Sequence, residues 1–278
     1  MTFEDLRPSP PLLSALQQRG YSEPTPVQSM VLAAENVGRD LLVSAQTGSG
    51  KTVAFGLAFA ADLLGEYENL GPASAPLALV IAPTRELALQ VQNELGWLYA
   101  QAGARVRACV GGTEIWREAR ALAEGAHIVV GTPGRLCDHL DRKRLDLSKL
   151  RALVLDEADE MLDMGFRDEL ERILKDAPEA RRTLLFSATI PKGIAELATR
   201  YQRDALRLAA TPPEQAHADI EYRAHVVAPR EREQAVVNTL RNFEAAGALV
   251  FCATRESVNR LQAGLAERAS ARWRSAVS

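Results

Sequence analysis

The residues best equipped for chemistry form two short strings. The first, AQTGSGKT at residues 45–52, follows the apolar run DLLVS and precedes a second apolar run with helical spacing. Gly48 and Gly50 lack Cβ atoms, so the backbone there can curl closely around phosphate oxygens and aim several N–H groups at them. A helix opening at the end of the loop adds the positive end of its dipole. Lys51 supplies a cation for β- and γ-phosphates and the Thr52 hydroxyl can ligate Mg²⁺, while Gln46, Thr47 and Ser49 belong to the same nucleotide-binding stretch. The general pattern has Gly where this chain has Ala45, so the loop is a variant of the motif. The second string, LVLDEADEML, ends an apolar run in Asp156 and Glu157. A buried strand would deliver these carboxylates to the C-terminal edge of an open α/β sheet, where ligands gather. Asp156 is suited to holding Mg²⁺ through water, and Glu157 to polarising the water that attacks a γ-phosphate. With Lys51 they form the expected catalytic set.

Short runs rich in Val, Leu and Ile must position these strings. Candidate strands are Asp40 to Ser44, Leu77 to Ala82, Arg105 to Val110, Ile128 to Gly131, Ala152 to Asp156 and Thr183 to Ser187. Helical patterns lie between them: Leu87, Val91, Leu95 and Leu98 share one helix face. Nearly continuous apolar strands imply burial on both sides, so the expectation is an α/β fold with a mostly parallel sheet and helices on both faces. A boundary falls where Pro212 and Pro213 interrupt the periodicity. The expected division is a first domain at 1–208, a linker at 209–218 and the start of a second α/β unit at 219–278. In that unit IEYRAHVVA and ALVFCA read as strands, and Arg230 to Ala246 and Arg255 to Arg268 as helices. The final ASARWRSAVS carries no strand signal. An exposed tail, a boundary of the expressed chain and a departure from the ancestral frame all remain open.

Composition narrows the classes further. With 278 residues, 47% apolar and 25% charged, and a net charge of -3, the chain is neither fibrous, disordered nor globally polycationic. Any nucleic-acid site must be a local patch. Cys109, Cys137 and Cys252 are too few and too far apart for a disulfide framework or a CxxC knuckle. The four histidines show no HExxH spacing, so no metal held by protein side chains alone is expected. Glu4 and Asp5 argue against a signal peptide, and no apolar run approaches the ~20 residues of a membrane span. The sequence therefore reads as soluble and cytoplasmic.

Taken together, the strings resemble the DEAD-box RNA helicases, whose namesake letters stand at Asp156 to Asp159. Further matches follow in the family's order from Phe3 to about Thr254: GYSEPTPVQ at 20–28, PTRELA at 83–88, GG at 111–112, TPGR at 132–135 and SAT at 187–189. The resemblance implies a RecA-like P-loop fold, ATP and Mg²⁺ as cofactors, and ATP hydrolysis coupled to RNA duplex unwinding. It assigns Gln28 to adenine, since a carboxamide can donate to one ring nitrogen and accept from another. Tyr21 would offer the base an aromatic face, Phe3 would close that pocket, and Thr25 belongs to the same stretch. Ser187 and Thr189 would bond to the acids, Asp159 above all, and so link nucleotide state to RNA.

The RNA residues implied are Pro83, Thr84, Arg85, Gly111, Gly112, Thr132, Pro133, Gly134 and Arg135. They point to backbone and 2′-hydroxyl recognition with little sequence preference. Read without the family, Arg85 and Arg135 are surface salt-bridge partners. In the family a second RecA-like domain supplies an arginine finger. This sequence reaches LVFCATR at 249–255 and contains no HRxGR string, so the expectation is nucleotide binding with poor turnover and no unwinding. For residues 219–267 two readings stay open, loose order in a monomer or pairing with a second copy. The alternative function is a non-catalytic, nucleotide-gated RNA-binding module.

Overall fold

The structure, a computed structural model, describes residues 1–210, 221, 223–243 and 247–268. They fall into two compact units, Met1–Gln215 and Ala216–Ser278. In the first unit seven strands form one sheet: β1 Leu41–Ser44, β2 Ala78–Ile81, β3 Val106–Cys109, β4 Ile128–Gly131, β5 Ala152–Leu155, β6 Arg182–Ser187 and β7 Leu206–Ala209. Their order is β3-β4-β2-β5-β6-β1-β7 and every pairing is parallel. A RecA-like α/β sheet was the expectation, and this is one.

Alternation along each strand explains the layers. Leu41 and Val43 of β1, Ala78 and Val80 of β2, and Leu184 and Phe186 of β6 enter one apolar cluster. Their neighbours Leu42, Leu79, Ile81 and Leu185 enter the other, on the opposite face. Both faces are thus covered, which is why the strands lack polar alternation. Six strands lie within a residue of their expected bounds. The seventh, β7, is absent from the sequence reading because its residues alternate between half-buried and exposed at the sheet's edge. The sheet also runs past the expected domain end at 208, since Ala209 belongs to β7 and the Ala210 N–H donates to the Ser44 carbonyl at 2.9 Å. Residues 211–218 of the expected linker at 209–218 and the string ASARWRSAVS at 269–278 lie outside the described residues.

The loop after β1 is anchored from behind. Its helix, Lys51–Ala58, crosses helix Arg85–Leu98 so closely that a Cβ on Gly56 would lie 2.8 Å from Leu98 Cδ2. Tyr99, fully buried, donates its hydroxyl hydrogen to the Gly56 carbonyl at 2.6 Å. Val91, Leu95 and Leu98 are buried as the periodicity requires, and Leu87 is half-buried against the same cluster.

In the second unit helices Arg232–Phe243 and Arg255–Arg268 form and pack on each other, with Val237 and Leu261 buried. The two strands expected there do not form among the described residues: 223–228 and 247–252 carry no strand assignment. Val226, Leu249 and Phe251 are almost fully exposed. Strand propensity needs a ladder partner to take effect, and these runs have none among the described residues.

Candidate nucleotide and RNA site

Parallel pairing sets every strand's C-terminal end on one rim, and the candidate residues follow those ends. The loop leaving β1 turns through Gly48 (φ +81°) and Gly50 (φ +87°), backbone angles that L side chains rarely adopt. Helix Lys51–Ala58 then begins, with Lys51 and Thr52 buried. The Lys51 ammonium lies 3.4 Å from the Ala45 carbonyl, 3.9 Å from Asp156 Oδ1 and 3.7 Å from Glu157 Oε1. Thr47 donates its hydroxyl hydrogen to Glu157 Oε1 at 2.9 Å. The two strings, more than a hundred positions apart in sequence, therefore meet at one point.

Asp156 follows β5 directly and is buried, and its Oδ1 has no hydrogen-bond partner. Burial pushes its carboxyl up to about 6; the Lys51 charge pulls down and the Glu157 charge pushes up, both more weakly. A buried carboxylate oxygen without a partner is costly unless a cation or its water shell completes it. With the Thr52 hydroxyl it makes an oxygen donor set that suits Mg²⁺. Glu157 occupies the left-handed region at φ 52°, ψ 53°, a conformation uncommon outside glycine. It stands at the N-cap position of helix Ala158–Asp163, and both consecutive acids face the Lys51 ammonium.

Asp159 faces the end of β6. Its Oδ2 accepts from the Thr189 N–H at 2.9 Å and the Thr189 hydroxyl at 2.7 Å, and its own N–H donates to Ser187 Oγ at 3.1 Å. Burial pushes this carboxyl up, but the hydrogen bonds from Thr189, Ser187 and Ala188 outweigh it and hold it below the usual range. The three residues expected to couple the site thus share one hydrogen-bonded cluster.

Gln28 is buried, at 1% exposure. Its Oε1 accepts the Thr25 N–H at 2.9 Å and its Nε2 donates to the Gly50 carbonyl at 3.1 Å. Thr25 in turn donates to the Ser49 carbonyl at 2.8 Å. The pair braces the phosphate loop, with one amide hydrogen and one lone pair of Gln28 left over. A Cβ on Gly50 would lie 2.6 Å from Gln28 Nε2. Gly50→Ala is accordingly expected to destabilise the chain by roughly 1–3 kcal/mol, read as a lowered Tm in thermal denaturation, and to weaken nucleotide binding in the same samples. Phe3 is buried in the core and Tyr21 is 40% exposed, with ring centroids 6.5 Å apart. They line a recess of 350 Å³ together with Leu13, Gln17, Gly20 and Ser22. Trp97 extends the aromatic row at 5.6 Å from Tyr21, a contact that the sequence reading did not assign.

The RNA-facing candidates occupy the ends of β2, β3 and β4. Thr84 caps helix Arg85–Leu98 through the Leu87 N–H, and Pro83 is buried. Arg85 donates to the Gly111 carbonyl at 2.7 Å, and a Cβ on Gly112 (φ +76°) would meet the same guanidinium at 2.7 Å. Thr132, Pro133 and Gly134 open helix Pro133–Asp141. Arg135 is 13% exposed and pairs with Glu118 at 3.0 Å, the ion-pair role that the residue type alone suggested. Sequence reasoning missed Glu118 and His139. The signal was Glu118's place on the stripe of Ile115 and Leu122, where an acid is out of pattern.

Comparison with known proteins agrees with this geometry. The DEAD/DEAH box helicase profile matches residues 25–197. The chain is 38% identical over 265 residues to the DEAD-box ATP-dependent RNA helicase CshA of Bacillus licheniformis, covering 95% of this chain and 53% of that protein. It is 42% identical over 258 residues to the ATP-dependent RNA helicase DeaD of Escherichia coli K12, covering 92% and 40% respectively. The crystal structure of a DEAD box protein from Methanococcus jannaschii superposes with a TM-score of 0.68 at 37% identity, over 96% of this chain and 70% of that one. The chain thus spans about half the length of the curated relatives it matches.

Proposed function

Because the chain belongs to the DEAD/DEAH box helicase family, we propose that it binds ATP with Mg²⁺ at the β1 loop, hydrolyses it slowly by itself, and offers RNA the neighbouring turns. The observation that carries this reading is the convergence of Lys51, Thr47, Asp156 and Glu157, with a buried carboxylate oxygen lacking a partner where a metal ion's water shell belongs. Mg²⁺, when bound, supplies charge neutralisation on the phosphates. Asp156 and Thr52 orient its shell, Lys51 pairs with the transferring phosphate, and Glu157 accepts a proton from the attacking water. Tyr21 and the leftover hydrogen and lone pair of Gln28 serve the base. Adenine recognition and the shape of the phosphate loop then depend on one side chain. Unwinding and RNA-stimulated turnover are proposed for a protein of the relatives' full length, of which this chain spans about half.

No helix among the described residues is long and apolar enough to cross a membrane. The exposed Leu249 and Phe251 of the second unit support the further proposal of self-association, which sedimentation at two protein concentrations tests.

Titration calorimetry of the 278-residue chain with ATP and with GTP, each with Mg²⁺, tests the central reading. Heat with ATP and much less with GTP is expected, and no heat with either sinks it. Lys51→Ala is expected to lower ATP affinity by about 10–100-fold, the loss of a charge-assisted contact to phosphate.

A further inference from the structure

Glu118 belongs to no string assigned above, yet it joins two of them. It lies on helix Ile115–Ala123 at 7% exposure, while its neighbours Trp116 and Arg117 are open to solvent. Its Oε1 accepts the Val110 N–H at 3.0 Å and the Thr113 hydroxyl hydrogen. Its Oε2 accepts from Arg135 Nη1 at 3.0 Å and His139 Nε2 at 2.8 Å. A carboxylate has about four lone-pair sites and only accepts, so all are filled and His139 carries its hydrogen on Nε2. Nδ1 of His139 is buried and has no hydrogen-bond partner.

The four donors have a pattern. Val110 and Thr113 flank Gly111 and Gly112, while Arg135 and His139 lie in the first and last turns of helix Pro133–Asp141. Arg135 closes the link by donating also to the Thr113 carbonyl, at 3.2 and 3.3 Å. Cys109 completes a buried trio with Glu118 and His139, their ligand atoms within 4.8 Å. A metal ion does not suit this trio: the carboxylate has no free lone pair, and Arg135 already supplies the positive charge. Burial first, and then the Glu118 charge, push the Cys109 thiol up to about 12, so it stays protonated.

We propose that Glu118 is a positioning residue for RNA: one carboxylate fixes the Gly111–Gly112 turn and the Thr132–Arg135 turn in a single register, so that both meet the same strand of sugar-phosphate backbone. The inference rests on the RNA reading of these turns. Glu118 touches neither RNA nor nucleotide. Arg135, facing an acid, serves as a strut, and the turns' N–H groups and the Thr132 hydroxyl make the contacts.

The test compares the full chain with Glu118→Ala and Glu118→Gln. Amide hydrogen exchange is expected to rise about tenfold or more in Glu118→Ala at residues 111–113 and 132–135, with residues 48–52 unchanged. Affinity for a single-stranded oligouridine, measured by fluorescence anisotropy at fixed salt, should fall about tenfold, while affinity for a fluorescent ADP stays within about twofold. Glu118→Gln keeps an acceptor for Val110 and Thr113 but turns an amide N–H toward Arg135. It should loosen 132–135 and spare 111–113, a split that general destabilisation does not produce. It also carries the test if the Ala variant fails to fold. Uniform acceleration across the sheet, unchanged exchange at both turns, or equal RNA affinity in variant and parent would each overturn the proposal. A parent chain that binds no oligouridine would refute the RNA role, while the exchange data would still decide whether Glu118 clamps the turns.

Discussion

Glu157→Gln is expected to leave ATP binding equal or tighter and to lower the chain's turnover by ~10²–10⁴-fold, the usual contribution of a positioned general base. The shape is conserved, and the carboxamide oxygen can still accept the Thr47 hydroxyl hydrogen that Glu157 Oε1 accepts at 2.9 Å. What disappears is the ability to take a proton, together with a negative charge 3.7 Å from Lys51 that opposes the incoming phosphates. Single-turnover hydrolysis of labelled ATP, paired with a binding isotherm, separates the two effects. Equal turnover in variant and parent would remove Glu157 from the base's role.

Asp156→Asn acts on stability in the opposite sense to most changes at buried polar positions. Asp156 is raised from its usual 3.8 to about 6, chiefly by burial. Folding therefore favours its protonated form. The stability linked to this group is complete below about pH 4 and is lost as pH rises through about 6. Above that, ionised Asp156 costs roughly 3 kcal/mol, an upper figure for what Asn recovers. In chelator-containing buffer the variant is expected to have a higher Tm than the parent at pH 7.5, with the gap closing toward pH 4. Adding Mg²⁺ with ATP should stabilise the parent well beyond ATP alone and the variant hardly more. A variant less stable than its parent at pH 7.5 would mean that the Lys51 contact outweighs burial.

How legible was this site? Strands β2, β4 and β5 are apolar at nearly every position because helices cover both faces of the sheet, and such runs announce themselves. Strand β7 does not, since an edge position exposes alternate residues and leaves only Leu206 and Leu208 to read. The runs at 223–228 and 247–252 show the converse, strand-like composition without a strand among the described residues. At the site, Lys51, Asp156, Glu157, Asp159 and Thr189 come together because the loop and acid strings follow β1 and β5, the two strands that flank β6, whose end leads to Thr189. Gln28 was identified by type while its engagement was not, and for Arg135 the type left an ion pair and a phosphate contact both open. A carboxamide can brace a loop as well as read a base, and a guanidinium can hold an acid as well as a phosphate. Only three-dimensional neighbours decide between such uses. Glu118 lay hidden for the same reason, as one acid in a polar helix whose importance comes from four donors scattered over thirty positions of sequence.

The backbone twist at Glu157 bears on how this chain would evolve under heat. A side chain in the left-handed region forgoes roughly 1–2 kcal/mol, and glycine would recover much of it without disturbing the strand below. Laboratory selection for thermal endurance alone should therefore drift toward Glu157→Gly, yielding hardier proteins without the acid proposed as proton acceptor.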